Sequence, residues 1–165
     1  MALAEDLEQI TRQERELVFA HFDAAVAWEL GTRLHSLAAK RGLTVVIDIR
    51  RFGQPLFYAA MDGTIPDNVE WVRRKSNVVA RFHCSSYAIG LKEKIKSETQ
   101  SDIQGLPIAD YATHGGSFPL TIMGTGAVGC VTVSGLPQRR DHELVIEALC
   151  ALLGKDYNSL QLTKD

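Results

Sequence analysis

The stretch that most constrains the fold of this chain runs from His114 to Asp141, HGGSFPLTIMGTGAVGCVTVSGLPQRRD. Two apolar segments, 118–123 and 128–133, flank a short Gly-Thr-Gly-Ala link. Such segments, joined through glycines, pair as a β-hairpin. Both open ends carry glycines, a proline and polar groups. Loops there are held by a rigid sheet while their polar groups stay reachable, so candidate functional residues are sought at those ends.

Within the stretch, Gly124-Thr-Gly-Ala-Val-Gly129 satisfies the G-x-G-x-x-G expression of dinucleotide-binding loops. That motif works only when a helix N-terminus follows and offers N–H groups to a pyrophosphate. Here Cys130-Val-Thr-Val follows, which is strand sequence. The glycines are therefore assigned to a tight turn and close strand packing.

Around the hairpin the chain divides into regular elements. Residues 3–12 predict a short helix, and 17–22 a first strand in which the helix period competes. From Asp23, a candidate N-cap, Ala27, Leu30, Gly31, Leu34, Leu37 and Ala38 recur at three- and four-residue steps up to Lys40-Arg41-Gly42. Residues 43–49 and 55–61 predict a second hairpin around a turn at 51–54. Pro66 suits the first turn of a helix, and a second helical piece over 84–96 follows a break at Ser85-Ser86. A polar run, 94–104, leads into an irregular loop over 105–116. Asp141 is expected to cap a last helix that buries Leu144, Val145, Ala148, Leu149 and Leu152 and stops at Gly154, leaving a polar tail over 155–165. Helices gathered between hairpins imply an α+β fold with an antiparallel sheet. No repeat or linker divides the 165 residues, so one domain with a core over about 14–153 is expected.

A net charge of −2 argues against a nucleic-acid binder dominated by phosphate contacts. No run approaches the roughly 18 apolar residues of a membrane helix. The N-terminus, MALAEDLEQITRQERE, has no apolar segment of signal-peptide type, so a cytoplasmic location is expected. Cys84, Cys130 and Cys150 are far apart and lack zinc spacing, which suits reduced thiols and no metal.

Three constellations carry chemistry, each with a plainer reading beside it. On the helix after Pro66, Val69, Val72, Ser76, Val79 and His83 share one side, and Arg73, Asn77 and Arg81 another. Arg74 and Arg81 lie two turns apart and with Lys75 can face a carboxylate or phosphate, or else form a solvated face. His114-Gly-Gly-Ser117 places an imidazole beside glycines that let backbone approach a ligand. Ser117 could be a nucleophile, but no Gly-x-Ser-x-Gly elbow surrounds it. Asp141-His142 is either an N-cap with an exposed imidazole, or His142 reaches a pocket at the hairpin ends as a metal or haem ligand or as a proton carrier.

Taken together, residues 43–62, Trp71-Val-Arg-Arg-Lys-Ser-Asn77, Gly115-Gly-Ser-Phe-Pro119 and Gly129 to His142 (GCVTVSGLPQRRDH) resemble the uncharacterised protein family 0303. That family, UPF0303, is a branch of the GlcG/HbpS-like superfamily, also called the haem-degrading domain. The likeness covers roughly residues 14–153. It implies a profilin-like α-β-α fold around an antiparallel sheet, assembly into homo-oligomers, and haem as a candidate cofactor. Its patterned positions fall on Trp71, Arg74, Lys75, Asn77, Gly115, Gly116, Ser117, Phe118, Pro119, Gly135, Pro137, Asp141 and His142. No Cys-Pro dipeptide is present, so haem would rely on His114 or His142.

The expectation drawn from both lines is a cytoplasmic, homo-oligomeric protein binding a small anionic molecule, haem among the candidates. Trp71, Arg74, Lys75, Asn77, Gly115, Gly116, Ser117 and His142 would form the ligand site, with His142, His114 and Asp141 as candidates for proton transfer. A small acid–base enzyme using the same pocket, and an assembly in which these residues are interface contacts, are the alternatives.

Overall fold

The computed structural model describes residues 2–99 and 105–164. Its elements follow the order α1 (Ala2–Glu16), α2 (Ala24–Lys40), β1 (Val46–Arg51), β2 (Gln54–Ala60), α3 (Pro66–Phe82), α4 (Ser86–Lys96), β3 (Ser117–Ile122), β4 (Gly126–Ser134), α5 (Gln138–Leu153) and α6 (Tyr157–Leu160). Two hairpins, β1-β2 and β3-β4, join through β1 and β4 into one sheet of order β2-β1-β4-β3, antiparallel throughout. The fold is α+β.

The pleat gives the sheet two unlike faces, because successive side chains of a strand point to opposite sides. On one face Ile47 and Ile49, Val131 and Val133, and Phe118 and Leu120 pack with residues of α2 and α5 such as Leu34 and Leu149. The other face is polar at its centre. The register sets Asp48, Thr132 and Ser117 side by side across β1, β4 and β3, and α3 covers them. Ser117 Oγ and Thr132 Oγ1 lie 2.8 Å apart, and both oxygens of Asp48 accept from Arg50 at 2.7 and 2.8 Å. Polar groups so paired can be buried at small cost.

The local signals explain most boundaries. Asp23 accepts from Val26 N at 2.9 Å and starts α2. The glycine hexad closes the β3-β4 turn with Gly124 and Gly126 at φ +78° and +108°. At Gly129 the backbones of β4 and β1 approach so closely that a Cβ would fall 2.0 Å from the carbonyl oxygen of Arg50.

Four segments differ from the sequence expectation. Residues 17–22 form no strand, although Leu17, Phe19 and Phe22 are buried. Only Phe19 bridges β3, through Phe19 N to Thr121 O and Met123 N to Phe19 O, both 2.8 Å, before the chain turns into the α2 cap. Helix α1 runs on to Glu16, because Ile10 and Gln13 are buried against neighbouring elements. Helix α5 begins at Gln138, a turn before Asp141, which lies inside the helix instead of capping it. The segment read as a polar tail packs back, with Leu160 and Leu162 buried. Part of the polar run, 100–104, lies outside the described residues. Cys130 and Cys150 are buried free thiols and Cys84 is half-buried.

Gly129→Ala forces the Arg50 backbone away and is expected to cost about 3 kcal/mol in urea unfolding. Gly124→Ala meets nothing within 4 Å, carries only the left-handed backbone strain, and is expected to cost about 1 kcal/mol.

Candidate functional site

The site forms where α3, the loop before β3 and the β4-α5 turn converge. Pro66 opens α3, and Asn68 Oδ1 accepts from Ile65 N at 2.9 Å to secure that end. Asn68, Trp71 and Lys75 then lie on one stripe at helical spacing. Opposite them, Ser134, Gly135 and Leu136 leave β4, and α5 contributes Gln138 and Asp141 one turn apart. His114 and Gly115 complete the wall of a cavity of about 340 Å³, within the range of small-molecule sites.

The floor is a buried ion pair. Lys75, 2% exposed, donates to Gly115 O at 3.0 Å, Val133 O at 2.7 Å and Asp141 Oδ2 at 3.2 Å. An ammonium has three protons, and these acceptors use all of them. Asp141 Oδ1 accepts from Leu136 N at 2.9 Å. Burial pulls the Lys75 amine down and pushes the Asp141 carboxyl up to about 6, each group partly restoring the charge of the other. Gly116, at φ +134°, admits this arrangement, since a Cβ would lie 2.4 Å from both Lys75 Nζ and Val133 O. At Gly115 a Cβ would lie 2.3 Å from Gln138 O.

Above the floor the wall offers mostly donors. Gln138 Oε1 accepts from Gly115 N at 3.1 Å, and Asn68 Oδ1 is used by Ile65. Each amide therefore leaves its NH₂ as the uncommitted end. The buried Ser134 also lines the cavity. At the mouth the His114 ring meets Trp71 edge-on at 5.1 Å, and Arg74 sits 4.8 Å over the same indole. Desolvation, with Lys75, Lys94 and Arg74 adding positive potential, holds the His114 pKa below the ordinary imidazole value.

Trp71, Lys75, His114, Gly115 and Asp141 thus meet at the cavity, with Gly116 packed behind Lys75. Other candidates stand elsewhere. Arg74 Nε donates to Ile108 O at 2.9 Å and Asn77 Nδ2 to Asp110 O at 2.8 Å, so the outer face of α3 holds the 108–110 loop. Ser117 lies fully buried in the sheet, its hydroxyl on Thr132 and its N–H on Ser86 Oγ. His142 is fully buried, 2.8 Å from Gln13 Oε1 through Nε2, with Tyr87 and Phe118 edge-on to its ring. Asn68, Ser134 and Gln138 did not stand out in the sequence. The i, i+3 relation of Asn68 to Trp71 and of Gln138 to Asp141 was the available signal. Among the described residues no group of three or more His, Cys, Asp or Glu could hold a metal ion, and no helix is long and apolar enough to cross a membrane.

The model of the family described as haem degrading protein HbpS-like matches residues 22–150. The chain belongs to this HbpS-like family. It also belongs to UPF0303, for the UPF0303 protein of Paraburkholderia phymatum is 60% identical over 164 residues, 99% of each chain. The crystal structure of the Ybr137w protein matches with a TM-score of 0.83 at 27% identity, over 90% of this chain and 87% of that one. The structure of the PduOC:heme complex matches at a TM-score of 0.68 and 15% identity, over 79% and 94%, a likeness of fold. In this HbpS-like chain the profilin-like α-β-α layers set the cavity at one end of the sheet, beside the β4-α5 turn.

Burial lowers the His142 pKa to about 3, because a charge there would lie among aromatic rings. The unfolded chain protonates this residue near pH 6.5. Between those values the folded form binds fewer protons, so this residue removes stability as pH falls through that window. Asp141 acts with the opposite sign between about 6 and its ordinary 3.8, where the folded chain keeps a proton the unfolded chain releases. His142→Gln retains a donor for Gln13 and deletes only the first effect. In urea unfolding its stability deficit against the wild type is expected to shrink steadily from pH 7 to pH 4; a constant deficit would contradict a histidine held neutral.

Proposed function

We propose that this chain binds a small carboxylate-bearing molecule in the cavity between α3 and the β4-α5 turn. The observation that carries the reading is the imbalance of the wall. Both Asp141 oxygens are occupied, whereas the amide NH₂ groups of Asn68 and Gln138, the Ser134 hydroxyl and the His114 ring border the space. Acceptors on a ligand would find donors there, and an acid group would enter past Arg74 and Lys94, which raise the potential at the mouth. Lys75 would act from below by holding the Gly115 carbonyl in place.

Haem is the second reading, supported by the family description and by the haem complex of the PduOC neighbour. The two histidines suit it unequally. His142 Nε2 is taken by Gln13 and the ring is sealed in the core. His114 is exposed at the mouth and kept neutral more readily than a free imidazole, so it is the residue that would hold a haem iron. A bound haem would supply an iron centre for electron exchange. The chain is further read as a cytoplasmic homo-oligomer. Exposed Ile65 and Val69, which share a shallow groove with Ala60 and Pro66, support assembly, because apolar side chains grouped at the surface are suited to burial against another surface.

Calorimetric titration with citrate and with inorganic phosphate tests the first reading. Saturable citrate binding is expected, weakened about tenfold by Gln138→Ala or Ser134→Ala, the loss of one hydrogen bond to a charged group. Absence of saturable citrate binding would overturn it. Ferric haem titration is read separately, with a Soret shift expected to vanish in His114→Ala.

A further inference from the structure

The first turn of α5 has two working sides. Gln138 and Asp141 face the cavity, as described above. Arg139 and His142, also one turn apart, are tied to a different partner: helix α1 and the chain's own C-terminal segment. Arg139 donates to Asp6 of α1 and to the carbonyl oxygen of Thr163. His142 Nε2 meets Gln13 Oε1, and Gln13 Nε2 donates onward to Leu160 O at 2.7 Å.

The C-terminal segment is held mainly through its backbone. Gln9 Nε2 donates to Ser159 O at 2.9 Å and to Gln161 O at 3.0 Å, and Arg12 donates to Ser159 O at 2.9 Å. Leu160 enters the main core, and Leu162 joins Ile10, Tyr87 and Leu91 beside α4. Side chains of α1 thus cap successive carbonyls while two leucines anchor the segment, as a bound extended peptide is held.

Two observations make this more than terminal packing. The N-cap residue of α5, Pro137, makes no side-chain capping hydrogen bond, so the position of the first turn depends on tertiary contacts. The hydrogen-bond chain also fixes a tautomer. Gln13 Nε2 is committed to Leu160, so its oxygen faces His142 and requires Nε2–H. That leaves His142 Nδ1 buried with no partner among the described residues, an unmet acceptor of the kind that weakens the state containing it. The closure is therefore extensive but carries a built-in penalty, a balance suited to opening.

We propose that α1 and residues 159–163 form a strap whose closure sets the first turn of α5, so that opening the strap loosens the cavity on the far side of that turn. The coupling to binding rests on the ligand reading above, whereas the coupling to the cavity wall does not. By linkage, a molecule that binds the ordered cavity also favours the closed strap.

The test uses the full chain carrying Trp28→Phe. Trp28 and Trp71 are its two tryptophans, and Trp28 is 63% exposed, so Trp71 fluorescence then reports the cavity alone. Leu162→Ala removes strap packing against Ile10, Tyr87 and Leu91 while leaving every side chain of α5 and of the cavity lining unchanged. The Leu162 N–H that donates to Glu143 of α5 belongs to the backbone, and the substitution does not delete it. Gln9→Ala removes only surface contacts to two carbonyls and gives the same comparison with the core intact. Amide exchange over 138–142 is expected to quicken about tenfold. Acrylamide quenching of Trp71 should rise, and citrate should bind about fivefold more weakly. Faster exchange over 159–163 with unchanged exchange over 138–142 and unchanged Trp71 quenching would overturn the proposal. If citrate fails to bind the parent protein, the ligand reading falls, and the exchange and quenching results still decide the strap.

Discussion

A buried ammonium must have every proton met, and that requirement organises one end of this molecule. Lys75 reaches from α3 to the loop before β3, to the end of strand β4 and to α5, through Gly115, Val133 and Asp141. Each acceptor comes from a different segment, so the cation is a junction as much as a charge. Breaking a buried pair by removing one partner typically costs about 3–5 kcal/mol, since the other charge is left stranded. Glycine at 116 follows from the same constraint, because any side chain there would occupy the place of the ammonium.

The junction also sets the electrostatics of the cavity. A lysine and an aspartate that satisfy one another leave a floor with little net charge, and selectivity passes to the wall and mouth. Fixed amides and a hydroxyl on a rigid sheet and two helices discriminate by geometry, while the cations near His114 act at longer range. Under the proposed ligand reading, such a division would suit reversible capture of an anion.

Much of the architecture could be read from patterns of local origin. The period of α2 and its Asp23 cap, the branched strands and the glycine-bounded turns are all settled within a few residues of sequence. Assigning the Gly124–Gly129 hexad to a turn needed only the observation that strand sequence follows it. The site was less legible, for a physical reason. In Trp71-Val-Arg-Arg-Lys75 three consecutive cations look alike, yet a rotation of about 100° per residue separates them. Arg73 and Arg74 hold the 108–110 loop, and Lys75 turns inward. His142 looked like a surface imidazole beside a cap, because its neutrality depends on Tyr87, Phe118 and Gln13, all distant in the chain. The tail looked polar because its leucines are spaced singly and their neighbours come from α1 and α4.

One feature of the sheet bears on how copies of this chain can meet. Strand β2 is outermost, and an outermost strand ordinarily invites strand addition. Pro55 stands in β2 with no N–H to offer, and the β1-β2 register breaks between Ile49 and Arg50. Lateral growth of the sheet from molecule to molecule is thereby discouraged at the β2 edge, while at the β3 edge Phe19 already bridges Ile122. The proposed assembly of copies would then rest on side chains and shape instead of a backbone ladder.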